Sequence, residues 1–295
     1  MARPHLLCIF GAVGLLAAGP GDGLVGRWGL TVTAGATVYP SWLEVSKKDG
    51  QLAGRMVGRS GSVRPIEVKM EGEELVFGSY RGRLVGAKLE GTGSDNRGNQ
   101  VRWTGVRLVR PPAPRGEPRW GRPVTLFDGR DLAPWQFRQE KGRECWSVAG
   151  GVMVNQPPCP DILTRERFRD FKLHVEYNLD PKSNSGIFLR GRYEVQIADQ
   201  GPRELDSHGV GGLYGFLTPT AKAAKPAGEW QAFDVTLRGY HVTVALNGVR
   251  IIDNQEIDGI TGAALDSDEA APGPIMLQGD HGRVQFRNIV LTPAN

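Results

Sequence analysis

The stretch Phe171-Lys172-Leu173-His174-Val175-Glu176-Tyr177-Asn178 decides the fold. Successive side chains of a strand point to opposite faces, so Leu173, Val175 and Tyr177 share one face and Lys172, His174 and Glu176 the other. A strand with one apolar face belongs to an antiparallel sheet packed on a core from one side. Similar short runs surround it, at 124–127, 146–148, 152–154, 185–199, 230–237, 241–247, 249–253, 275–278 and 284–291. No helix of consequence separates them, and each has one apolar face to hide. Two packed antiparallel sheets are the economical solution. Further toward the N-terminus, runs at 28–33, 42–45, 52–57, 75–77, 84–89 and 101–108 recur about every ten residues. That spacing is the mark of a small antiparallel β-barrel or meander domain, here over 24–110. Between the two regions lies Pro111-Pro112-Ala113-Pro114-Arg115-Gly116-Glu117-Pro118, a stiff segment that reads as a linker over 111–120. The sandwich then occupies 121–295. The 41 glycines and 20 prolines agree with an all-β chain full of turns.

Net charge is +4, with the basic excess in 24–110 and a slightly acidic 121–295. The Arg and Lys residues are scattered rather than clustered with exposed aromatics, which points away from nucleic acid. At the N-terminus, Arg3 and His5 precede an apolar run over 6–18 that ends near Ala17, Ala18 and Gly19. This reads as a signal peptide over 1–20, too short to cross a bilayer, which takes about 20 residues. The expectation is an exported protein, periplasmic or extracellular, with no stable membrane insertion after cleavage. Cys8 would leave with the signal. Cys145 and Cys159 remain, on either side of a Gly150-Gly151 turn. Export permits a disulfide between them, and the sequence leaves the pairing open.

Seven strings occur in order: Leu126-Phe127-Asp128-Gly129, Asn184-Ser185-Gly186-Ile187-Phe188-Leu189-Arg190, Tyr193-Glu194-Val195-Gln196-Ile197, Lys225-Pro226-Ala227-Gly228-Glu229-Trp230, Leu246-Asn247-Gly248, Asp280-His281-Gly282 and Phe286-Arg287-Asn288-Ile289. Together they resemble the 3-keto-disaccharide hydrolase family over about residues 121–293. The resemblance implies a concanavalin A-like jelly-roll β-sandwich, often exported, acting on 3-keto-glycosides by hydrolysis or elimination. Residues 24–110 lie outside that resemblance and carry no chemistry that the sequence names.

Within the Tyr193 strand, Tyr193, Val195 and Ile197 suit the core, while Glu194 and Gln196 face the other way, toward an open groove. Glu194 and Asp199 do not make a glycosidase pair. They lie roughly 16 Å apart along a straight strand and on opposite faces, whereas paired carboxyls stand about 5 Å or about 6.5–9.5 Å apart. A 3-keto sugar needs no such pair. Its ketone acidifies the C2 proton, so one base, one stabiliser for the enolate oxygen and help for the leaving group suffice. His208 is a candidate base or metal ligand, and His281 a ligand or leaving-group acid. Glu194, His208 and His281 together are the candidates for holding a divalent metal ion. Glu229 is a further acid, base or structural carboxylate. Arg190, Lys225, Gln196 and Asp280 are candidate substrate contacts. Trp230 reads as a sugar platform or as packing at a strand entry. The set favours an enzyme with a carbohydrate substrate. A non-catalytic carbohydrate-binding module on the same sandwich is the alternative, and a structural envelope protein the third reading.

Overall fold

A computed structural model describes residues 21–95, 97–110, 115–139, 143–199, 201 and 204–295. Residues 1–20, read above as a signal peptide, and Pro111–Pro114 of the expected linker fall outside the described residues. Among those described, every regular element is a strand or a short 3₁₀ turn, and no helix is long and apolar enough to cross a membrane.

The first eight strands are β1 (Gly26–Ala34), β2 (Thr37–Lys48), β3 (Gln51–Val57), β4 (Arg64–Glu71), β5 (Glu74–Phe77), β6 (Tyr80–Val85), β7 (Lys88–Ser94) and β8 (Gln100–Arg107). Each pairs antiparallel with the next, and β8 returns to β1 to close a barrel. Closure leaves no sheet edge unpaired. Trp28, Leu30, Val32, Leu43, Val45, Phe77 and Trp103 fill the interior. The Trp103 indole packs closely on Gly82 of β6 and Gly91 of β7. A Cβ on Gly82 or Gly91 would stand 2.5 or 2.6 Å from its ring. Residues 84–89, read above as one run, are two strands, because Gly86 turns the chain at φ +60. Strand β4 escaped that reading although Ile66, Val68 and Met70 alternate with charged residues. Only Val68 of the three is fully buried, so the pattern is diluted by polar neighbours.

The sandwich contains β9 (Val124–Phe127), β10 (Trp135–Phe137), β11 (Trp146–Ala149), β12 (Val152–Asn155), β13 (Ile162–Thr164), β14 (Phe171–Leu179), β15 (Asn184–Leu189), β16 (Tyr193–Ala198), β17 (Gln231–Arg238), β18 (His241–Leu246), β19 (Val249–Glu256), β20 (Met276–Leu277) and β21 (Val284–Pro293). One sheet runs β10-β13-β20-β15-β16. The other runs β11-β12-β21-β14-β17-β18-β19, with β9 added beside β21. Strand β14 behaves as its alternation requires: Leu173, Val175 and Tyr177 are buried between the sheets. Tyr177 stacks on Phe233 of β17 with centroids 5.2 Å apart. The expected all-β architecture, a barrel followed by a concanavalin A-like sandwich, is the observed one. Cys145 and Cys159 form a disulfide with Cα atoms 5.8 Å apart, spanning the β11–β12 hairpin.

The two units are not independent, which the sequence did not reveal. On β2, Leu43 and Val45 enter the barrel, so Trp42 points outward. It is nonetheless fully buried, against Phe216 of the sandwich with ring centroids 5.7 Å apart. Gly259 admits it: a Cβ there would lie 2.4 Å from the indole. Beside this contact, Asp258 accepts hydrogen bonds from Arg27 (2.8 Å) and Arg55 (2.9 Å) of the barrel. Arg110, at the barrel's exit, pairs with the buried Glu269 at 2.6 Å.

Candidate active site

Strand β16 is the edge of the five-stranded sheet. Tyr193, Val195 and Ile197 are wholly buried between the sheets, as their parity demands. Glu194 and Gln196 occupy the outer face, beside Phe188 and Gly186 of β15. They are not open to solvent as expected, for Glu194 is 5% and Gln196 3% exposed. The reason is a second layer of chain along the edge. Residues 211–214 run beside β16, with the Gly211 and Tyr214 amides donating to the Gln196 and Glu194 carbonyls (2.8 and 3.0 Å). From the other side, the Glu194 amide donates to the Thr261 hydroxyl at 3.1 Å.

The Glu194 carboxyl rests over Gly186, where a Cβ would stand 2.3 Å from Oε1. The Gln196 amide nitrogen faces the Ser185 carbonyl (2.9 Å) and Glu194 Oε1 (3.3 Å), and its oxygen accepts from Asn184 (3.1 Å). Gln196 is therefore committed to holding Glu194, which corrects its expected role as a substrate contact. Burial, with the charges of Asp161 and Asp280 adding to it, pushes the Glu194 carboxyl up to about 8. Replacing Gly186 by Ala is expected to displace this carboxyl and lower kcat about 100-fold, while the circular dichroism spectrum stays unchanged. Steady-state kinetics on the variant checks this.

A cleft of about 660 Å³ lies beyond this layer; Gln278, which lines it, donates its backbone amide to the Gly186 carbonyl at 3.0 Å, while Glu194 itself stays beneath the lining. Asp161, Gln278, Asp280 and His281 line the cleft together with barrel residues from β2 and the β3–β4 loop. Asp161 accepts from Arg138 at 2.9 Å and from the Gly279 amide at 3.2 Å. Its burial raises its pKa, against the pull of Arg138. Gln278 is 9% exposed and its Oε1 has no partner among the described residues, which leaves an acceptor for a substrate hydroxyl. Asp280 holds His281 through Nδ1 at 2.5 Å, leaving Nε2 as the nitrogen that can exchange a proton. His208 is exposed in its loop and packs edge-on against Tyr214, centroids 4.9 Å apart. Burial and the charges of Glu194 and Asp206 raise the Tyr214 hydroxyl.

Other expected site residues lie elsewhere. Arg190, 2% exposed in the β15–β16 turn, gives its guanidinium to the Arg169 and Gly239 carbonyls and to Asp170. Its burial keeps it from reaching a sugar. Lys225 Nζ donates to the Trp230 carbonyl (3.0 Å), and Lys225 borders a separate groove with Asp199 and Lys222. Glu229 is exposed at the entry of β17, in the opposite sheet. Trp230 stacks under Arg287 at 4.0 Å, outside the cleft. Among the described residues, no three His, Cys, Asp or Glu side chains converge as ligands, so Glu194, His208 and His281 do not fit a divalent ion. No chemistry is routed through one below. Asp161, Gln278, Tyr214 and Thr261 were not singled out from the sequence. Each stands alone in a turn or strand end, and only the neighbouring Cys159 marks where Asp161 would be pinned.

A family model described as a 3-keto-alpha-glucoside-1,2-lyase-like domain matches residues 122–292. Among solved structures, a presumed glycosyl hydrolase from Parabacteroides distasonis ATCC 8503 is 29% identical, covering 62% of this chain and 93% of its own, with a TM-score of 0.49. A second presumed glycosyl hydrolase from that organism is 20% identical over 59% of this chain and 94% of its own, with a TM-score of 0.50, a likeness of fold. No curated protein matches.

Proposed function

The chain belongs to the 3-keto-alpha-glucoside-1,2-lyase-like domain family through residues 122–292, and from that membership we propose that it cleaves 3-keto-glycosides by removing the C2 proton, with Glu194 as the base. The observation that carries this reading is the Glu194 carboxyl, raised to about 8 by burial and by the charges of Asp161 and Asp280, two residues that line the cleft. A carboxylate made this basic is far better matched to an α-keto proton than a solvated one. Glu194 takes the proton from C2, and the C–H electron pair forms the enolate at C3. The enolate then collapses, forming C1=C2 and breaking the bond from C1 to the leaving oxygen. His281, oriented by Asp280, gives that oxygen a proton. Addition of water to the enone yields the free 3-keto sugar. Gln278 Oε1 accepts a substrate hydroxyl.

Export is part of the proposal, supported by the signal-like N-terminus and by the Cys145–Cys159 disulfide, which persists in an oxidising compartment. Turnover of 3-keto-trehalose beside trehalose, followed by release of free sugar, tests the substrate class. The ketone form is expected to react at least about 1,000-fold faster, since without it C2 is not acidic. Equal rates on both would return the site to ordinary hydrolysis by Glu194 with Asp161 or Asp280. Binding without turnover would make it a carbohydrate-binding module.

A further inference from the structure

The family match begins at residue 122, yet part of the cleft's lining comes from the barrel. We propose that the barrel's β3–β4 loop, residues 58–63, forms the subsite for the leaving sugar, with Arg59 as its hydroxyl-binding side chain. This rests on the reading of the site as glycoside-cleaving.

Three contacts fix the loop. The Ala263 amide donates to the Arg59 carbonyl at 3.1 Å. A Cβ on Gly262 would lie 2.4 Å from the Gly61 carbonyl oxygen, and one on Gly215 would lie 2.3 Å from Ser62 Oγ. The loop is thus wedged between the two sandwich segments that carry Thr261 and Tyr214, which themselves hold the Glu194 backbone. The Trp42 contact and the Asp258 clamp behind it keep the barrel from sliding.

Arg59 combines a fixed backbone with an available head group. It is exposed and lines the cleft. Its one recorded side-chain contact is with the Tyr39 ring, 5.8 Å from the guanidinium, and no carboxylate pairs with it among the described residues. A planar guanidinium with unspent donors suits vicinal hydroxyls. Along the cleft, Arg59 and Arg138 are balanced by Asp161 and Asp280, a lining without net charge that suits an uncharged polyol, a second sugar ring. The cleft volume, within the roughly 300–1,000 Å³ of small-molecule sites, admits more than one ring.

Calorimetry with two probes tests this on the full chain. One is a carbon-linked 3-keto-disaccharide analogue, whose linkage no glycoside-cleaving enzyme can break, and the other is methyl 3-keto-glucoside. Arg59→Ala is expected to weaken binding of the disaccharide analogue about tenfold, the value of a hydrogen bond to a charged group, and to leave the methyl glycoside unchanged. Arg59→Lys should recover only part of the loss. Unchanged affinity for the disaccharide analogue, equal loss for both probes, or no binding of either would overturn the subsite. Absence of turnover on natural 3-keto-disaccharides, with the Arg59 effect intact, would instead remove the proposed reaction and keep the sugar site.

Discussion

Glu194→Gln is expected to lower kcat on a 3-keto-disaccharide by about 10³-fold, within the range lost when a positioned acid–base group is removed. The variant should fold. At neutral pH the carboxyl, raised to about 8, is largely protonated, and glutamine matches that neutral form in size and polarity. The sign of the pH dependence follows from the same shift. Only the ionised form accepts a proton, so kcat/KM of the wild type should rise as pH increases through about 8 and fall below it. A solvated carboxylate would place that rise near 4. In the variant the ascending limb should vanish. Stability runs the opposite way. The folded state holds this proton more tightly than the unfolded state, so the wild type loses stability as pH climbs from about 4 toward 8. Glu194→Gln should be the more stable protein at pH 9, as read by denaturant midpoints.

The second large effect is expected at Asn155, at the end of β12. Its amide nitrogen donates to the Gly279 (2.9 Å) and Gly282 (2.8 Å) carbonyls, and its oxygen accepts from the Val284 amide (2.7 Å). One fully buried side chain therefore holds both ends of the turn that presents Asp280 and His281. Asn155→Ala strands three buried backbone groups, each costing about 1–3 kcal/mol when left unpaired. Partial rearrangement offsets some of this, so about 3–4 kcal/mol of destabilisation is expected in urea titration, with an unchanged m-value. Activity at low temperature, where the variant remains folded, should still fall about tenfold or more. A loss of stability without any loss of activity would mean that the turn keeps its shape without Asn155.

Much of the fold was legible because it rests on alternation within single strands. Leu173, Val175 and Tyr177, like Tyr193, Val195 and Ile197, sit where a period of two puts them. Glu194 was legible for the same reason. Its burial was not, because the chain that covers it, 211–214 and Thr261, arrives from loops distant in sequence. The carboxylates that act on Glu194 are Asp161 and Asp280 rather than Asp199. Asp199 instead accepts from the Lys182 amide at 2.9 Å. Arg190 misled because its motif position is informative about the turn it stabilises, not about a ligand. The two halves of the chain looked separable since a proline-rich segment divides them. Trp42 belonged in appearance to the barrel, and only the three-dimensional contact with Phe216 and Gly259 shows that it joins the two.

The fate of the C2 hydrogen tests the central claim most directly. Cleavage of a 3-keto-disaccharide in D₂O, followed by NMR of the early product against an enzyme-free control, is expected to show deuterium at C2 of the released 3-keto sugar. Retention of protium at C2 at full turnover would show that the bond is broken without deprotonation there, and would contradict the role assigned to Glu194.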